Sequence, residues 1–149
     1  MRVLVDTNVL LRSSQPNHPL CSQATHAVSN LLRQKDGVFF CSQTIAEFWN
    51  VATRPAGLNG LGLSHEEAAQ EVSHIEELLT LLPDVPAIYA AWKRIVYEHR
   101  VKGVKVYDAR LVAIMSVYAV ESILTFNTPD FERYDGVSVL HPASILAVR

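Results

Sequence analysis

The chain has 149 residues, 49% hydrophobic and 19% charged, and 13 Lys and Arg against 15 Asp and Glu give a formal net charge of −2. That length fits one domain able to bury about 68–70% of its unfolded surface, and the composition excludes a disordered chain. No apolar run approaches the ~18 residues of a membrane span, an acid at position 6 ends any signal-peptide reading, and the balanced charge does not advertise a polyanion binder.

In chain order, Val3-Leu4-Val5 reads as a short buried strand ending at Asp6. Residues from about Leu20 to Gln34 read as a helix with Ala24, Ala27, Val28, Leu31 and Leu32 on one face. Asp36-Gly37 turns the chain into a second strand, Val38 to Cys41. Ser42 stands where a cap belongs for a helix from Gln43 to Thr53, and Pro55 helps stop it. Pro55 to Gly62 holds three glycines and reads as a loop. Ser64 and Glu67 form an S-x-x-E capping box for a helix carrying Ala68, Val72, Ile75, Leu78 and Leu79. Leu81-Leu82 is a third strand closed by Pro83, and Asp84 and Pro86 precede a helix from Ala87 to His99. A helix from Tyr107 to Val120, a strand from Ile123 to Phe126, a strand from Val137 to Leu140 and a short terminal helix from Pro142 complete the chain.

Strands alternate with helices throughout and are apolar on both faces. This is the pattern of an α/β protein whose parallel sheet is covered by helices on both sides. No repeat, low-complexity tract or linker interrupts it, so residues 1–149 read as a single domain. Cys21 and Cys41 lack any CxxC spacing and read as a reduced pair in a cytoplasmic protein. The six histidines show no H-x-x-x-H spacing and read as surface or capping residues, and Trp49 and Trp92 read as core.

Three acids stand where chemistry is placed in such folds. Ligands of open parallel sheets bind beyond the carboxyl ends of the strands, and Asp6 sits at that end of the first strand. Thr7-Asn8 adds short polar side chains able to hold a neighbouring carboxylate. On the helix after the second strand, Glu47 lies at the edge of the apolar arc formed by Ile45, Phe48, Trp49, Val51 and Ala52. Asp108 stands in the first turn of a helix that is apolar nearly all round beyond Arg110, so its start is carried close to the core. Each has an ordinary explanation alone: a turn or cap for Asp6, a solvated edge for Glu47, the helix dipole for Asp108. Converging at one rim, each pair at ~4 Å would repel by about 4 kcal/mol at an effective dielectric of 20, which a cation or a raised pKa must offset. Acids without cysteine or spaced histidine make a hard oxygen site suited to Mg²⁺ or Mn²⁺.

These residues resemble the PIN-domain nucleases, in particular the bacterial VapC-like ribonuclease toxins, over almost the whole chain. Val5-Asp6-Thr7-Asn8 is similar to the first acidic motif of that family, Ile45-Ala46-Glu47-Phe48-Trp49 to the second, and Tyr107-Asp108-Ala109-Arg110-Leu111 to the third. Leu124-Thr125-Phe126-Asn127-Thr128-Pro129-Asp130-Phe131 resembles the fourth, with Asn127 where many relatives place an aspartate and Asp130 three residues later. The resemblance implies a five-stranded parallel sheet in a three-layer α/β/α fold and Mg²⁺- or Mn²⁺-dependent RNA cleavage. It further implies a catalytic set of Asp6, Glu47, Asp108 and Asn127, with the first three as metal ligands. A homodimer and a partner antitoxin are also implied, and no membrane role. An asparagine at position 127 would weaken metal binding or limit it to one ion. The alternative is a PIN-like module without activity that binds RNA or protein. A dehalogenase-like phosphatase would want a second aspartate where Asn8 stands, a receiver domain would want an aspartate where strand two ends in Cys41-Ser42, and no phosphate-cradling glycine loop is present. Six of the thirteen basic residues fall between positions 92 and 110 (Lys93, Arg94, Arg100, Lys102, Lys105 and Arg110), a stretch that could contact phosphates. The glutamates at 66, 67, 71, 76 and 77 read as a solvated helix face.

Overall fold

A computed structural model describes residues 1–34 and 37–145. Strand β1 (Arg2–Val5) lies in the middle of a five-stranded sheet, flanked by β2 (Gly37–Cys41) and β4 (Ser122–Leu124), with β3 (Thr80–Leu82) and β5 (Ser138–Leu140) at the edges. The order is β3-β2-β1-β4-β5 and every pairing is parallel. Leu4 is in register with Phe39 on one side and Ile123 on the other. This is the five-stranded parallel α/β architecture expected from the sequence.

Alternation along the strands divides the core into two layers. Val3, Val5, Val38, Phe40 and Leu124 face α1 (Thr7–Ser13), α2 (Cys21–Arg33), α3 (Ser42–Thr53) and α4 (His65–Leu78). Leu4, Phe39, Cys41, Leu82 and Ile123 face α5 (Ala87–His99) and α6 (Val106–Val117). Because the chain leaves β1 and β2 on one side of the sheet and β3 on the other, the strand order reverses at β1. The crevice between the carboxyl ends of β1 and β4 is therefore the topological switch point, where such sheets take ligands.

Several local expectations are corrected. Helix α1 follows β1 directly and was not anticipated, because its seven residues offer an apolar run, Val9-Leu10-Leu11, too short to show a period. The cap of α3 is Cys41, whose N–H donates to Thr44 Oγ1 (3.2 Å); Ser42 is already helical, and its hydroxyl donates to Asp84 instead. The Ser64–Glu67 box forms as read, with Glu67 N donating to Ser64 Oγ (3.1 Å) and Ser64 N to Glu67 Oε1 (3.0 Å). On α4 Leu78 is exposed while Ala68 and Ile75 are buried. Helix α6 ends at Val117 rather than Val120: Ala119 takes φ 53° and the N–H of Val120 closes the end on the Met115 carbonyl (2.9 Å). Strand β4 stops at Leu124, two residues before Phe126, and β5 begins at Ser138. The terminal helix is a single 3₁₀ turn, Pro142–Ser144. The expected turn at Asp36 lies outside the described residues.

Candidate active site

Asp6 emerges from β1 and caps α1. The residue is 8% exposed, and its carboxylate accepts three hydrogen bonds: from Thr7 N (2.8 Å), Thr125 Oγ1 (2.9 Å) and the Asn8 amide (3.3 Å). The same threonine hydroxyl accepts from Asn8 Nδ2 (3.1 Å) and from the N–H of Asn127 (3.0 Å), so the ends of β1 and β4 are stitched around one carboxylate. Burial pushes the pKa of Asp6 up to about 6; the bonds from Thr125 and Thr7 oppose this, and the charges of Glu47 and Asp108 add to it.

Glu47 faces the same rim from α3. Thr7 Oγ1 donates to its Oε2 (2.9 Å) and Gln43 Nε2 to its Oε1 (2.8 Å). Asp108 reaches the rim for the reason its sequence implies: Ala109 and Leu111 to Met115 are buried, so α6 is driven into the sheet and its first turn comes up beside β1. The indole N–H of Trp92 pins that turn by donating to the carbonyl of Val106 (2.8 Å). Burial raises the Asp108 pKa to about 6, the negative charge of Asp130 raises it further, Lys105 opposes, and Glu47 contributes last. An open cleft of about 430 Å³ is lined by Glu47, Val104, Lys105, Tyr107, Asp108 and Asp130.

The structure thus couples Asp6, Glu47 and Asp108 through charge and through Thr7, and it adds Asp130. It does not bring in the side chain of Asn127, which is exposed; among the described residues that side chain makes no hydrogen bond, and its N–H takes part instead. Lys105 lies among the acids, donating to Asp130 Oδ1 (2.7 Å) and standing 3.8 Å from Asp108 Oδ2. Arg110 donates to Gln43 Oε1 (3.0 Å) and to Asp84 Oδ1 (3.1 Å). Two of the six residues of the basic stretch therefore serve the rim itself. Sequence reasoning missed Gln43, Asp84 and the roles of Lys105 and Arg110. The available signal was spacing: Gln43 stands four residues before Glu47, and Lys105 three before Asp108, both intrahelical neighbour distances.

The donor chemistry fits a hard divalent cation, since the anionic groups lining the cleft are all carboxylates, three against the single ammonium of Lys105, and neither sulfur nor imidazole is among the lining groups. Among the described residues no three His, Cys, Asp or Glu side chains are disposed to grip an ion as they stand. The fit is one of donor type and uncompensated charge.

A family model described as the PIN domain matches residues 3–137. The fold is shared with DNA-bound VapBC from Salmonella typhimurium, at 17% identity over 95% of this chain and 98% of that one, TM-score 0.71. VapBC2 from Rickettsia felis, bound to a DNA fragment from its promoter, is similar at 12% identity over 95% and 98%, TM-score 0.67. VapC20 from Mycobacterium tuberculosis, a sarcin-ricin-loop-cleaving toxin, is similar at 15% identity over 81% and 86%, TM-score 0.57. At these identities the likeness is one of fold. No curated protein matches the chain.

Proposed function

The chain belongs to the PIN-domain family, and from that premise we propose that it is a Mg²⁺- or Mn²⁺-dependent endoribonuclease, the toxin of a toxin–antitoxin pair. One observation carries the reading. Four carboxylates from four separate elements act on one another at the switch point of the sheet, and burial and like charge hold both Asp6 and Asp108 up to about 6. Acids raised in this way, facing a cleft, mark a functional site more often than a structural one.

Asp6, Glu47 and Asp108 are the residues proposed to hold the ion, with Asp130 proposed to join them and Asn127, beyond β4, proposed to turn its exposed amide inward as a neutral oxygen when the ion binds. A divalent ion bound there would make water a nucleophile near neutral pH and neutralise charge on the phosphate. The protein's own part is positional. Thr7 and Thr125 fix Asp6, Thr7 and Gln43 fix Glu47, and the buried body of α6 fixes Asp108. Lys105, once released from Asp130, is a cation placed beside the cleft to meet a phosphate oxygen. RNA as substrate is supported by the likeness to VapC20, which is described as cleaving the sarcin-ricin loop. An antitoxin partner is supported by the likeness to VapBC assemblies, and a homodimer in the cytoplasm completes the reading. Among the described residues no helix is long and apolar enough to cross a membrane.

Asp108→Asn tests the proposal with little change of shape. Cleavage of RNA by the purified variant should fall by several orders of magnitude while RNA binding persists, because one negative charge facing the phosphate is lost. Metal-free melting should hold or rise, since a carboxylate kept up at about 6 by burial and by Asp130 is replaced by a neutral amide. A variant that cleaves as the wild type does, free of contaminating ribonuclease, ends the role of Asp108. The alternative, a PIN-like binding module without activity, draws on the described residues, among which no three His, Cys, Asp or Glu side chains are disposed to grip an ion as they stand. It predicts RNA or protein binding with no cleavage by the wild type at any Mn²⁺ concentration.

A further inference from the structure

We propose that Gln43 is the positioning residue that sets the spacing of Glu47 and Asp108, and that Arg110 holds Gln43 to that task; the inference rests on the metal-dependent reading above. Gln43 Nε2 donates at once to Glu47 Oε1 (2.8 Å) and to the carbonyl of Tyr107 (2.9 Å), the residue before Asp108. A single amide therefore ties a carboxylate on α3 to the first turn of α6. Its oxygen accepts from Arg110 Nη1 (3.0 Å). A guanidinium only donates, while a carboxylate and a carbonyl only accept, so turning the amide over would break all three contacts. The arrangement admits one orientation.

Arg110 is held in turn. Its Nη2 donates to Asp84 Oδ1 (3.1 Å), and the other oxygen of Asp84 accepts from the hydroxyl of Ser42, next to Gln43 at the start of α3. Asp84 follows β3, so the ring passes through three elements that the sequence separates widely. The second oxygen of Glu47 takes the hydroxyl of Thr7 (2.9 Å), the residue after Asp6. Glu47 is thus suspended between Thr7, the neighbour of one acid, and Gln43, whose amide reaches Tyr107, the neighbour of the other. Loss of an outer contact of this kind typically costs about 10–100-fold in metal affinity.

The experiment is calorimetric titration of Mn²⁺ into the metal-free full chain, with melting of each apo protein alongside. Gln43→Met keeps the length and removes both donors; its Mn²⁺ dissociation constant should rise about 10–100-fold over the wild type with the apo fold retained. Arg110→Gln is the sharper variant. It removes a positive charge beside the acids, so electrostatics alone predicts tighter Mn²⁺ binding, whereas a slackened Gln43 predicts weaker binding. Weaker binding by both variants supports the proposal. Wild-type affinity in Gln43→Met, with or without a lower melting midpoint, overturns it and leaves the metal reading intact. Tighter binding by Arg110→Gln overturns the part assigned to Arg110, and that variant decides the matter if Gln43→Met does not fold. A wild type that takes up no Mn²⁺ overturns both the metal reading and this inference.

Discussion

Burial is the main force that brings both raised aspartates to a pKa of about 6, but their charges are met by different partners. Asp6 is buried at the end of the central strand, and its charge is met by fixed neutral donors: a backbone N–H, a threonine hydroxyl and an asparagine amide. Asp108 has a side chain 27% exposed on the cleft, and its charge is met by a lysine that also serves Asp130. The first environment cannot be changed without unpairing buried groups. The second is an exposed ammonium that solvent and salt can replace. One site therefore contains a fixed half and an exchangeable half, and the exchangeable half is the one that opens on the cleft.

The comparison is broken most directly by pH. A carboxyl raised from 3.8 to about 6 binds its proton more tightly in the folded state, so its contribution to stability is full below about 3.8 and gone once pH passes about 6. For buried Asp6 that amounts to roughly 2 kcal/mol between pH 4 and 7. It should be read as the difference between wild type and Asp6→Asn, because Asp84, Glu67 and Glu121, lowered by their hydrogen bonds, act in the opposite direction in both proteins. A difference that does not vary with pH would mean that Asp6 titrates as an ordinary surface acid. Millimolar Mn²⁺ should reverse the trend, since the ion competes with the protons and is held better as pH rises.

Thr125→Val sharpens the contrast next. It removes the donor to Asp6 and at the same time the acceptor for Asn8 and for the N–H of Asn127. Chemical denaturation should show a loss of about 2 kcal/mol, within the range for unpaired buried polar groups. A stability within a few tenths of the wild type would mean that water replaces the hydroxyl and that this half is not fixed.

The smallest effect belongs to Lys105→Gln. An exposed ion pair contributes little, so apo stability should stay close to that of the wild type, and closer still at high salt. Mn²⁺ binding, by contrast, should strengthen, because the ion no longer displaces an ammonium from Asp130. Weaker Mn²⁺ binding by this variant would contradict an exchangeable half.

The fold was legible because its signals are local. Short doubly apolar strands and capped helices alternate, and only α1 lacked the length to declare itself. The positions of Asp6, Glu47 and Asp108 could be read from a strand end, the edge of a helical arc and the start of a buried helix. Their partners could not be read, because hydrogen bonds such as Thr125 to Asp6 and Arg110 to Gln43 join residues that only the folded sheet brings together. The same limit explains the fourth position. Resemblance favoured Asn127, yet the 3₁₀ turn Thr128–Asp130 carries Asp130 to Lys105 and leaves the Asn127 side chain in solvent. The basic stretch, which the sequence leaves open to contact with phosphates, divides for a related reason. Lys105 and Arg110 spend their donors on acids and an amide at the rim, while Arg94, Arg100 and Lys102 are exposed and remain available to a backbone phosphate.

The pairing of β1 with β4 also sets the order in which the site can be assembled. The hydroxyl that steadies Asp6 belongs to a residue 119 positions further along the chain. Until that stretch has been synthesised, one edge of β1 stays unpaired and the acid at its tip lacks its main side-chain donor. Contacts this distant close late and slowly in folding, after the local helices and the β1–β2 pair. A growing chain therefore carries Asp6 without the Thr125 hydroxyl until β4 has been made and paired.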